Sequence, residues 1–152
     1  MISMPCDIRL LTFNEMLGNA TEQLSASERR LAGCRTQLEI ATGRIEAAQE
    51  RLDRAVFDEA KARQAHIDWL SHLNTLSDDR SPPMLEKLTG LYNARTQAVL
   101  NTLSARETVS GFQKSLDEAT ADFIFAQGEQ RKLAEDVNLI TNEIAKLSGP
   151  TQ

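Results

Sequence analysis

Residues 77–83 read Ser77-Asp78-Asp79-Arg80-Ser81-Pro82-Pro83, and the reading of this stretch decides the fold. Turn formers and two adjacent prolines meet near the middle of a chain of 152 residues. Proline lacks a backbone N–H and restricts the residue before it, so no helix runs smoothly through Pro82-Pro83. A proline in the first turn of a new helix is well tolerated. Ser81 therefore reads as the cap of a second helix, with the prolines in its first turn. No other proline falls between Pro5 and Pro150. Two long stretches are thus free of the strongest helix breaker.

Outward from the turn, both stretches keep a seven-residue rhythm. Before it, Leu17, Leu24, Leu31, Leu38, Ile45 and Leu52 are each seven apart, and the series continues through Glu59 and His66 to Leu73. A second series follows three residues later, with Ala20, Ser27, Cys34, Ala41, Ala48, Ala55, Ala62, Trp69 and Leu76. Large residues at one position and small ones at the other describe a coiled-coil stripe. After the turn, steps of four and three run from Met84, Leu88 and Leu91 through Val109, Phe112, Leu116, Ala119, Phe123 and Ala126 to Leu133, Val137, Ile140, Ile144 and Leu147. Only Arg95, Thr102 and Gln130 interrupt this series with polar side chains. A heptad held this long implies left-handed supercoiling.

Two helices of similar length joined by a short turn fold back on each other. The expected fold is all-α, a long antiparallel two-helix coiled-coil hairpin. The Ala41, Ala48, Ala55 edge can then receive the Phe123, Leu116, Val109 edge. Folding near residue 80 also brings Glu59 and His66 to the height of Arg95 and Thr102, as a polar layer. Arms of about 60 residues would each be about 90 Å long at ~1.5 Å per residue. The domain limits that follow are an N-terminal segment (1–16), a first arm (17–76), a turn (77–83), a second arm (84–147) and a tail (148–152). A parallel dimer of unbroken rods is the competing arrangement. Gly33, Gly43, Gly90, Gly111 and Gly128 fall inside the arms and mark softer points or places of close helix contact.

Composition agrees with a narrow seam. Aromatic residues are 5% of the chain, too few for a thick globular core. The formal net charge is −5, with 17 basic and 22 acidic residues intermixed. Nucleic-acid binding calls for a concentrated basic surface, and no such block is present, so no nucleic-acid partner is expected. Nothing approaches the ~20 apolar residues of a membrane span, and the N-terminus lacks the basic region and apolar run of a secretory signal. A cytoplasmic location without direct membrane insertion is expected. Cys6 and Cys34 form no CxxC and read as free thiols.

Chemistry has little to stand on. His66 and His72 are the only histidines, and a six-residue spacing does not put them on one helix face, unlike a metal-binding i,i+4 pair. His66 reads as part of the polar layer that fixes register. Asp78-Asp79 reads as a solvated turn. There is no P-loop, GxSxG or HExxH pattern. No catalytic, cofactor-binding or metal-binding residue is assigned, and the chain is expected not to be an enzyme.

Two surfaces exceed what a seam needs. At the hairpin tip, Trp69, Leu70, Arg80, Leu85 and Tyr92 are candidates for partner binding, because apolar patches with aromatics mark such sites. At the open end, Ile8, Leu10, Leu11, Phe13 and Met16 precede the first clean heptad and do not follow it. These are expected to fold back on the second arm or to be covered by a partner.

With two long heptad arms and a central proline-containing turn, the chain from about Leu17 to Leu147 resembles the stalk proteins of bacterial type III secretion and flagellar export, the FliJ/YscO-like family. The resemblance rests on architecture and heptad pattern. It implies a coiled-coil adaptor in protein transport and virulence, located in the cytoplasm beside the inner-membrane export apparatus. The partners it implies are a hexameric secretion ATPase, stimulated by the end carrying both termini, and an export gate protein met by the tip. Secretion chaperones are further implied partners. Carried onto this chain, the ATPase-facing end is Ile8 to Leu24 with Val137 to Leu147, and the gate-facing end is Trp69 to Tyr92. A self-associating structural scaffold and an export chaperone are the alternatives from other classes.

Overall fold

In the computed structural model, which describes residues 4–75 and 82–149, the chain is a helical hairpin of two helices, α1 (Met4–Thr75) and α2 (Pro82–Ser148). Pro82 and Pro83 are the first residues of α2, where a missing N–H costs no intrahelical bond. The proposed cap Ser81 and the rest of 77–81 lie outside the described residues. α1 already begins at Met4, so residues 4–16 continue the first helix instead of forming a separate segment.

Burial follows the heptads residue by residue. Every seam position from Leu17 to Leu73 and from Met84 to Leu147 is buried or half-buried, and most positions between them are exposed. Among the described residues the buried set is small: Ala20, Ala41, Ala48, Ala126, Ser27, His66 and Thr102. Two helices have only one seam, so a large seam residue keeps one edge in water while a small one is covered by its larger neighbours. Leu10 and Phe13 are half-buried as well. They stand seven residues before Leu17 and Ala20, so they do follow the heptad, contrary to the expectation for the open end. Ile8, Leu11 and Met16 do not.

The chain packs as two units. In the unit made of Ala41–Leu116, Thr102 Oγ1 donates to the carbonyl oxygen of Ala55 at 3.2 Å, Arg95 Nη1 lies 3.3 Å from His66 Nδ1, and Lys87 Nζ lies 6.0 Å from the Trp69 ring centre. Partners on α2 fall as those on α1 rise, which is antiparallel pairing. The register differs from the expected edge alignment by one heptad. Thr102, not Val109, stands against Ala55, and by the same count Val109 meets Ala48 and Leu116 meets Ala41.

The other unit joins the described parts of Met1–Ile40 and Asp117–Gln152. Arg30 pairs with Glu129, and the Arg35 guanidinium lies 6.0 Å from the Phe123 ring centre. Both side chains of the Arg30–Glu129 pair reach solvent, so the pair adds little to stability. The direction of pairing is again antiparallel.

The helix glycines lie outside the seam. A Cβ built on Gly33, Gly43, Gly90, Gly111 or Gly128 would meet nothing within 4 Å. Of the two readings of these glycines, close helix contact is therefore ruled out. Each remains a point of lower helix propensity.

Candidate functional site

Near the turn, α1 and α2 bring two polar–aromatic groups together. His66 is buried at a seam position, with Arg95 on Nδ1 at 3.3 Å and the Tyr92 ring edge-on at 6.0 Å. A guanidinium carries only donors, so Nδ1 is the acceptor in this contact. Glu59 does not join them. Its carboxylate instead meets Arg63 of the next turn at 3.5 Å. Thr102 places its hydroxyl between the carbonyl oxygens of Ala55 and Ala98, at 3.2 and 3.0 Å. Among the described residues no buried side-chain nitrogen or oxygen lacks a hydrogen-bond partner.

Trp69 is half-buried, with His72 edge-on at 5.4 Å and Lys87 over its face. Its indole thus belongs to the closing contacts of the helix pair. Leu70, Leu85 and Tyr92 are exposed and remain available to a partner. Arg80 lies outside the described residues.

The terminal end presents a second apolar surface. Ile8, Leu11 and Leu139 are 55%, 66% and 63% exposed. Leu139 lines a groove of about 400 Å³ with Met16, Ala20, Leu133 and Ile140, and Asn19, Gln23 and Asp136 are also on its wall. Large apolar side chains left in water at this level suit a protein partner better than a small ligand.

Among the described residues the most exposed large apolar side chain is Phe125, at 75%, next to exposed Ile124. Phe57, Leu100 and Leu103 are exposed too. None of these five was singled out from the sequence. The signal was available, because each falls at an outward position of the same heptads that define the seam.

Among the described residues no three His, Cys, Asp or Glu side chains are grouped to hold a metal ion. No helix there is long and apolar enough to cross a membrane. Cys34 is a half-buried free thiol. No protein-family model matches the chain, and no curated protein or solved structure matches it significantly.

Proposed function

We propose that this chain is a non-enzymatic coiled-coil stalk or adaptor of a bacterial type III secretion or flagellar export apparatus. In this reading it sits in the cytoplasm against the inner-membrane machinery. The end carrying both termini engages and stimulates the hexameric export ATPase, and the tip meets the export gate.

The observation that carries the reading is the apolar surface of the terminal end. The helical hairpin alone would suit many roles. Ile8, Leu11 and Leu139 lie where the stalk resemblance expects a ring contact, and all three are exposed, Leu139 also lining the groove with Met16, Leu133 and Ile140. An apolar helix end of this kind buries well inside a protein ring and poorly in water.

The test is binding of the fluorescently labelled chain to the purified export ATPase from the same source. Saturable binding is expected, and Leu11→Asp with Leu139→Asp should weaken it by about tenfold or more, as loss of central apolar contacts does. Both positions are exposed, so helicity should be unchanged. Equal binding by the variant, or none by the unmodified chain, contradicts the assignment.

A further inference from the structure

The unit formed by Ala41–Leu116 has two unlike flanks. With the seam positions written a and d, positions e and b lie to one side of each helix and positions g and c to the other. In an antiparallel pair the two e rows adjoin, and so do the two g rows. Val56, Ile67 and Leu70 of α1 fall at e or b, as do Leu85, Tyr92 and Leu103 of α2. All six are exposed. The contact of Tyr92 with His66 places this ring beside the seam on that flank.

The opposite flank is different in kind. Its groove is lined by Arg51, Arg54, Ala55, Asp58, Ala98 and Asn101. Among the described residues of this unit no exposed large apolar residue falls at g or c. A helix that carries apolar residues at e as well as a and d has the wider stripe of a bundle helix, not the narrow seam of a two-stranded pair.

We infer that a second copy of this chain covers the e flank, so that two hairpins pair through residues 56–70 and 85–103 into a four-helix bundle. Size favours this occupant. The six side chains, partly exposed and each of roughly leucine to tyrosine size, offer about 500 Å² per copy, or about 1,000 Å² in all, which is the level a specific interface must clear.

Charge favours it as well. Between Val56 and Leu70, and between Leu85 and Leu103, the only charged side chain at e or b is Arg63, and it is held 3.5 Å from Glu59. No unpaired charge is buried by closure. A two-fold axis through the middle of the strip sets the Leu70–Leu85 end of one copy on the Val56–Leu103 end of the other. It also brings Tyr92 toward the partner's Arg63–Glu59 pair. Such a self-complementary patch is what an isologous contact requires.

This inference does not rest on the stalk reading, because it uses none of the terminal residues assigned to the ring. In the stalk reading Leu70, Leu85 and Tyr92 also face the export gate, so pairing and gate binding exclude each other there.

The test is light scattering and sedimentation of the full chain across a hundredfold range of concentration. The unmodified chain should reach twice its 16.9 kDa. Ile67→Glu with Leu85→Glu should keep its helicity by circular dichroism and stay at one copy. Ala65→Glu with Ser104→Glu, on the other flank, should pair like the unmodified chain. A single copy throughout the range, or a dimer indifferent to Ile67→Glu with Leu85→Glu, overturns the inference.

Discussion

Thr102 reaches across the helix pair to the carbonyl oxygen of Ala55, 3.2 Å from its hydroxyl. The same hydroxyl lies 3.0 Å from the carbonyl oxygen of Ala98 one turn back. Thr102 is 2% exposed, so this contact is made away from water. It distinguishes one heptad register from the next. The large-and-small alternation repeats every seven residues and would accept Val109 at the same place.

Thr102→Val tests that role. Losing the hydroxyl removes about 1 kcal/mol of hydrogen bonding, and the added methyl returns about 0.8 kcal/mol of apolar burial. Thermal stability should therefore shift by less than about 1 kcal/mol. Register should loosen instead, as when a polar seam residue that specifies pairing is lost. Paired spin labels on the two helices of this unit should give a broader distance distribution than in the unmodified protein.

The seam itself is tested by charge. Leu38→Asp or Leu116→Asp places a carboxylate at a half-buried seam position, at a cost of several kcal/mol unless it is paired. Circular dichroism should show a sharp loss of helicity. Ile124→Asp, at an exposed position, should leave the spectrum nearly unchanged.

The outward glycines offer the opposite sign. Gly43→Ala and Gly111→Ala add a methyl that meets nothing within 4 Å. Each should stabilise the helix by about 0.5–1 kcal/mol, raising Tm by about 1–4 °C at this chain length. A fall in Tm would show that these positions are covered in solution.

Antiparallel pairing has a direct chemical test. Asp58 and Asn101 line one groove from opposite helices. With Cys6 and Cys34 replaced by Ser, Asp58→Cys and Asn101→Cys should be joined within one chain by a short bismaleimide, without a gain in mass on a denaturing gel. In a parallel assembly of unbroken rods the two positions would be ~65 Å apart at ~1.5 Å per residue, and only chains of doubled mass could form.

Much of the fold is legible in the sequence because independent signals coincide. Pro82-Pro83 forces a break, and the heptads on either side supply two faces that need each other. Leu10 and Phe13 are harder to see, because exposed Ile8, Leu11 and Met16 are interleaved with them and blur the period. Counting back seven from Leu17 and Ala20 recovers both. The register is not legible, since Ala55 has room for either Val109 or Thr102 and a single hydroxyl decides.

The candidate surfaces are less legible than the seam. Leu70, Leu85 and Tyr92 stand out near the turn because they widen the apolar stripe there. Phe125 and Leu139 do not, because a lone apolar residue at an outward position looks like any other surface residue until its exposure is known. Trp69 misleads in the other direction. Its size suggests a free anchor, yet His72 and Lys87 already pack on it.

In the proposed function the terminal end of the hairpin stimulates an export ATPase. The most direct measurement is the rate of ATP hydrolysis by the purified hexameric ATPase as the full chain is added. A saturable rise in rate is expected, lost in the Leu11→Asp, Leu139→Asp variant and retained when Ile67→Glu with Leu85→Glu keeps the hairpin unpaired. A rate that stays flat at saturating chain, or rises equally with the terminal variant, contradicts it.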